Sequence, residues 1–289
     1  AAQITVSGAA QYQSVPATPS GSLNYAGQTF KPIRGATVQL INAATNATLA
    51  TAVTNTLGAY SFAAVANPNA AVIVRVRAEL QSAVAGGPAT NVTVKDNTSS
   101  DALYVLDSAP VTVSAATQTI DVQAASGWGG TSYTASRSAA PFAVLDAIYQ
   151  GVQKVRGASP NQALPALQVF WSTRNAPVDG TLAQGQIGTS FFQSSSAGGL
   201  RIYLLGDAAS DADEYDSPVV AHEWGHYLQT AVSRDDSVGG SHTGNDRLDM
   251  RVAFSEGFGN AFAGMSLGNP RYTGSFIDAQ GQLRGGVID

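Results

Sequence analysis

His222 and His226 stand four residues apart in Val219-Val220-Ala221-His222-Glu223-Trp224-Gly225-His226-Tyr227-Leu228-Gln229, and Glu223 directly follows the first. On an α-helix a spacing of four stacks two side chains on one face, so both imidazoles reach a single ion. Glu223 projects close to that ion without having to bind it. The arrangement suits metal-assisted hydrolysis, in which the ion activates water and the glutamate takes its proton. The chain holds only 3 histidines, the third being His242, and its glutamates are Glu79, Glu214, Glu223 and Glu256. In so sparse a set chance is a poor explanation of the pattern.

A catalytic zinc needs a third protein ligand and keeps its fourth position open for water. With 0 cysteines that ligand must offer nitrogen or oxygen. Leu248, Val252, Phe254, Phe258 and Phe262 recur at helical spacing and predict a second helix over Asp246–Ser266, which carries Glu256.

The stretches His222-Glu223-Trp224-Gly225-His226 and Ser255-Glu256-Gly257-Phe258-Gly259-Asn260 together resemble the gluzincins, the thermolysin-like group of metallopeptidases. Metzincins instead place a third histidine six after the second, where this chain has Val232. The gluzincin resemblance implies His222, His226 and Glu256 as Zn2+ ligands and Glu223 as general base, taking a proton from water and passing it to the leaving amine. It also implies an acidic residue four after the ligand glutamate, accepting a hydrogen bond from the first histidine. Here that residue is Asn260, whose amide oxygen accepts the same N–H without a charge. For the developing oxyanion the resemblance implies a donor, with His242 first and Tyr272 next as candidates. It further implies a substantial helical subdomain after the ligand glutamate. Only 33 residues (289 − 256) follow Glu256, so the expectation is an N-terminal fragment whose missing part is a separate C-terminal chain of the same precursor.

The elements that must position these groups are legible to different degrees. Ser217 as cap and Pro218 at the first helical position predict the start of the motif helix. Acids in the preceding Asp211-Ala212-Asp213-Glu214-Tyr215-Asp216 favour the helix dipole, and Asp211, Asp213 and Asp216 are also a candidate Ca2+ site. Before them, Thr189–Gln193 and Leu200–Leu205 predict a hairpin around Ser194-Ser195-Ser196-Ala197-Gly198-Gly199. In the resemblance an extended peptide substrate lies along an edge strand just before the motif helix, which makes Arg201, Ile202 and Tyr203 candidates; a buried core strand explains the same residues equally well. Leu167–Ser172 is another expected strand. Phe142, Leu145, Ile148, Val152 and Val155 predict a helix over Ala139–Arg156, starting near Pro141 and ended by Gly157 and Pro160.

Residues 1–125 read as strands and turns. The core of this part, residues 1–80, predicts strands at Ile4–Val6, Ala36–Ile41, Thr48–Thr54, Ala59–Val65 and Ala71–Leu80. Shorter ones follow at Asn91–Val94, Ala102–Leu106, Val111–Val113 and Thr119–Val122, the first preceded by a turn at Ala85-Gly86-Gly87-Pro88. The run Thr54-Asn55-Thr56-Leu57-Gly58-Ala59-Tyr60-Ser61-Phe62 resembles transthyretin-like and carboxypeptidase-regulatory-like modules, which implies an antiparallel β-sandwich with Gly58 at a turn and Tyr60 and Phe62 facing the core. Ser126-Gly127-Trp128-Gly129-Gly130-Thr131-Ser132 is the expected linker, dividing a 1–125 sandwich from a 126–289 zincin catalytic domain of mixed sheet and active-site helices. The fold class expected is α+β.

Composition narrows the setting. Of 289 residues 44% are hydrophobic, enough for a real core, and no apolar run is long enough to span a membrane. A net charge of −5 without basic clusters argues against a nucleic-acid partner. Only 12% of residues are charged, and the sequence opens Ala1-Ala2-Gln3-Ile4 as a mature terminus would, which together suit a secreted bacterial protein. Half of the 20 acids fall in 201–250, whereas 1–80 contains only Glu79. The gluzincin resemblance implies endopeptidase action on peptide or protein substrates. An exopeptidase on the same metal, or a non-catalytic extracellular binding module with a structural zinc, are the alternatives.

Overall fold

Alternating burial along Gln3–Ser14 builds the first layer: Ile4, Val6, Ala10 and Tyr12 turn inward and their neighbours outward. This strand runs far beyond the expected Ile4–Val6. Its small residues Gly8-Ala9-Ala10 carry no strand propensity of their own, and four partners supply what propensity does not. It pairs antiparallel with Thr29–Pro32 and Ala59–Ala66 and parallel with Thr117–Thr119 and Val122–Ala124. The structure is a computed structural model describing residues 2–81, 88 and 90–289. The expected turn at Ala85-Gly86-Gly87-Pro88 lies, except for Pro88, outside the described residues.

The second sheet has ten strands and crosses the expected boundary at 126. Its main path runs Phe191–Ser195, Gly199–Leu204, Leu167–Trp171, Val92–Asp96, Ala71–Leu80, Ala36–Asn42, Thr48–Val53. Leu167–Trp171 is parallel to both of its neighbours, Val92–Asp96 and Gly199–Leu204, so strands expected in an antiparallel sandwich and strands expected in a mixed sheet share one mixed sheet. Parallel neighbours need a long crossover. Between Val92–Asp96 and Leu167–Trp171 that crossover contains helix α1, Ala140–Ala158. One core joins the inner faces of both sheets, with Val6, Tyr12 and Phe62 from the first and Val38, Val74 and Val76 from the second. The same core takes in α1 and the residues beyond it.

Tyr60 and Phe62 are buried and Gly58 sits at φ +73° in the turn before them. Asn55 holds that turn, its side chain accepting from the amides of Leu57 and Ala59. The flanking strands do not pair with each other: Thr48–Val53 belongs to the ten-stranded sheet and Ala59–Ala66 to the other, so the turn carries the chain across the sandwich. The expected linker is packed rather than free, because Trp128 stacks on Tyr25 at 3.7 Å between ring centroids and Tyr133 meets both rings edge-on.

Two polar ties hold the layers in register. Asp146 of α1 accepts from Tyr12 at 2.9 Å and pairs with Arg34 at 2.7 Å, joining helix to first sheet. Deeper inside, Arg137 forms an ion pair with Glu214, donates to the Gly206 carbonyl at 2.6 Å and lies against the Tyr133 and Trp171 rings. Glu214 also accepts from Trp171 Nε1. Both charges are buried, so each is held by the other and by these donors and acceptors.

Helix α2, Ser217–Val232, and helix α3, Met250–Leu267, pack against each other and against α1. The fold is thus a strand-rich α+β one with three α-helices among the described residues. Trp224 is the anchor of the three-helix contact, 1% exposed, with Phe262 of α3 at 5.5 Å between centroids and Gly151 of α1 lying against its face. Burying one large apolar side chain is worth about 1.5–3 kcal/mol, so Trp224 does much to fix α2 in place. A hairpin of Tyr272–Ile277 and Leu283–Ile288, with no counterpart in the sequence reading, closes the chain. Phe254, counted above on the apolar face of α3, points outward at 67% exposure together with Met250 and Met265. No helix among the described residues is long and apolar enough to cross a membrane.

Candidate active site

Helix α2 begins at Ser217 with Pro218 second, and its cap is Asp216, not Ser217. The Asp216 side chain makes no capping bond; its carboxylate accepts instead from the amide and hydroxyl of Ser275, at 2.8 and 2.7 Å. α3 starts later than expected, at Met250, where Asp249 caps the Arg251 amide. Between them the two helices place His222, His226 and Glu256 together. His222 Nε2 lies 3.0 Å from His226 Nε2 and 3.1 Å from a Glu256 oxygen, and His226 Nε2 lies 3.4 Å from the other. Four donors set tetrahedrally at zinc distances are about 3.3 Å apart, so these three atoms have the spacing of one face of such a site.

The orientation of each imidazole is fixed from behind. His222 Nδ1 is 2.8 Å from Asn260 Oδ1. His226 Nδ1 is 3.1 Å from Ser255 Oγ, whose own proton goes to Gln229 Oε1 at 3.0 Å. Carbonyl-type acceptors and a committed hydroxyl oxygen put the proton on Nδ1 in both rings, leaving both Nε2 lone pairs free and convergent. Ser255 and Gln229, both buried, were missed in the sequence. The available signal was a polar side chain beside each presumed ligand, one before Glu256 and three after His226.

His222 fits only because α3 presents no side chain at Gly259. A Cβ there would stand 2.8 Å from His222 Cε1 and Nδ1, and a Cβ on Gly225 of α2 would in turn stand 3.2 Å from the Gly259 Cα. Gly259→Ala is therefore expected to tilt the His222 ring off Asn260 and weaken zinc binding about 10–100-fold, the usual cost of losing an outer hydrogen-bond partner. Alanine raises intrinsic helix propensity by about 1 kcal/mol, so helicity by circular dichroism should hold while zinc affinity, measured by competition with a chromophoric chelator, falls. Unchanged affinity would remove this packing argument.

Glu223 is 8% exposed, beside the ligands, and lines a cavity of about 780 Å3 with His222, His226, Phe192 and His242. Burial, opposed by the neighbouring His222 and reinforced by the Glu256 charge, pushes its carboxyl up to about 7. Burial also pushes Glu256 up, but whenever His222 and His226 carry a proton on Nε2 their hydrogen bonds and charges more than reverse this and hold it well below the usual carboxylate range.

His242 lies in the loop between the helices, its Nε2 3.3 Å from Glu256, and the Gly240 carbonyl raises its pKa. Tyr272 approaches from the terminal hairpin, its ring 5.9 Å from that of His222, and burial followed by the Glu223 charge raises its hydroxyl well above the usual range. Both line a second cavity of about 660 Å3 that also reaches His222 and Glu223. Arg201, Ile202 and Tyr203 are not on an edge. Their strand is bonded on both sides, parallel to Leu167–Trp171 and antiparallel to Phe191–Ser195, because the hairpin folds its first arm outward. The edge strand is Phe191–Ser195, and the backbone amide of Phe192 on it favours the charged form of Glu223, against the effect of burial.

Asp211, Asp213 and Asp216 are brought together beside the start of α2, with ligand-capable atoms within 4.8 Å of one another. Burial pushes Asp211 to about 6, Asp216 to about 7 and Asp213 well up.

No protein-family model matches the chain, and no curated protein matches it. Among solved structures it is similar to a candidate carbohydrate-binding protein of Pseudomonas aeruginosa, at 14% identity over 42% of this chain and 88% of that one, with a TM-score of 0.24. It is also similar to a 9R-lipoxygenase of Cyanothece, at 8% identity over 56% of this chain and 25% of that one, with a TM-score of 0.25. Superpositions this loose carry no argument about fold or activity.

Proposed function

We propose that this chain is a secreted zinc-dependent endopeptidase of gluzincin type. The observation that carries the reading is the convergence of His222 Nε2, His226 Nε2 and the Glu256 carboxylate, with Glu223 buried next to them at the wall of an open cavity. Two neutral imidazoles and one carboxylate are a donor set that suits zinc and leaves a position open. Bound there, zinc would supply a Lewis acid for the scissile carbonyl and acidify water. Glu223, raised towards neutrality by its burial, is suited both to accept a proton and to return it to the leaving amine. Asn260 and Ser255 hold the imidazoles, and Tyr272 and His242 stand at the cavity wall as donors to a developing oxyanion. The outer side of Phe191–Ser195 has no strand partner among the described residues, so an extended peptide can add there by backbone hydrogen bonds, which favours broad sequence tolerance.

Casein digestion tests the proposal. Wild-type protein should release internal fragments by mass spectrometry, lose the activity in 1,10-phenanthroline and regain it on adding ZnCl2. Hydrolysis that persists in the chelator would defeat the zinc mechanism, and release of single terminal residues alone would favour an exopeptidase.

A further inference from the structure

We propose that Asp211, Asp213 and Asp216 form a Ca2+ site that braces the start of α2, separate from the histidine site. The three carboxylates are not the solvated acidic run that often precedes a helix: Asp213 is 5% and Asp216 1% exposed. Their hydrogen bonds satisfy only part of them. Ser190 Oγ donates to Asp213 Oδ2, and Ser275 donates twice to Asp216 Oδ2. Asp216 Oδ1 and Asp211 Oδ1 are buried with no hydrogen-bond partner. No ion pair among the described residues involves any of the three, and Arg137 is paired with Glu214. Three carboxylates with ligand-capable atoms within 4.8 Å of one another, Asp213 and Asp216 buried and Asp211 half-buried, repel when charged, and a cation placed among them relieves the repulsion and fills the unpartnered oxygens together.

The donors choose the ion. All are oxygens, and no histidine joins the cluster, which favours a hard cation over zinc. Several carboxylates in a largely dehydrated pocket suit Ca2+, whereas Mg2+ keeps most of its water. Access is available, because Asp211 and Asp213 line the cavity of about 660 Å3 shared with Ser275 and Tyr272. The site would join three pieces of chain: the loop before α2, the Ser190 region beside the edge strand, and the terminal hairpin through Ser275. That hairpin carries Tyr272, so the ion would hold Tyr272 in place beside His222.

Elemental analysis and thermal melting test this. Protein stripped of metal and reloaded with zinc should retain one Ca2+ per chain after dialysis against CaCl2, and its Tm should rise by roughly 5–10 °C at calcium a hundredfold above Kd. MgCl2 should give a smaller rise. Asp213→Asn, and the Asp211→Asn/Asp213→Asn pair, should lose both the ion and the calcium response while keeping zinc; His226→Ala should lose zinc and keep calcium. The wild-type titration decides even if the aspartate variants fold poorly. A wild-type Tm unmoved by CaCl2 up to about 10 mM, beyond the weakest protein calcium sites, overturns the proposal. So do asparagine variants that melt higher than wild type and ignore calcium, which would mean that shared protons hold the cluster together.

Discussion

Glu223→Gln is expected to lower casein hydrolysis by about 10²–10⁴-fold, the usual share of a general acid–base group, while leaving the zinc content at the wild-type level. The side chain is buried beside the two histidines and makes no part of the convergent donor triangle, so an isosteric amide should leave His222, His226 and Glu256 where they are. What it removes is the carboxylate beside the two histidines whose pKa is held near neutrality and which is not engaged by the imidazole Nε2 atoms. Both halves of the result matter. Lost activity with lost zinc would mean that Glu223 supports the metal site, and retained activity with retained zinc would remove it from the chemistry.

Arg137→Ala carries the largest expected effect on stability, about 3–5 kcal/mol, because it leaves Glu214 charged and buried with only the Trp171 indole as donor. For a chain of this size that corresponds to a fall in Tm of roughly 6–20 °C. The loss also frees the Gly206 carbonyl and the faces of Tyr133 and Trp171. Arg137→Met with Glu214→Leu, which removes both charges and keeps volume, should recover most of the loss. If the single variant melts like wild type, the pair is not what ties the 126–139 stretch to the sheet.

How much of this was legible depended on whether the signal was local. Helical spacing placed α1 within two residues at either end, since periodic apolar residues report burial directly, and Ser217-Pro218 placed the start of α2 within one. The histidine pair was readable because one turn of helix fixes its geometry, and Glu256, on another helix, only through the resemblance to gluzincins. Pairing across the sheets was not readable. Nothing within Leu200–Leu205 says which neighbour lies on either side, so Arg201, Ile202 and Tyr203 were placed on an edge that belongs to Phe191–Ser195. For the same reason the glycine-rich stretch from Ser126 to Ser132 gave no sign that Leu167–Trp171 would pair with Val92–Asp96 in one sheet. Tyr272 was named without its support, as the terminal hairpin is rich in glycine and weak in strand propensity, and it is held by Asp216 through Ser275 rather than by its own residues.

The zinc content of the purified protein tests the central claim most directly. Elemental analysis after exhaustive dialysis should find one zinc per chain in the wild type and in Glu223→Gln, and none in His226→Ala or Glu256→Ala. Wild-type protein that holds no zinc, or a His226→Ala variant that holds as much as the wild type, would contradict the account.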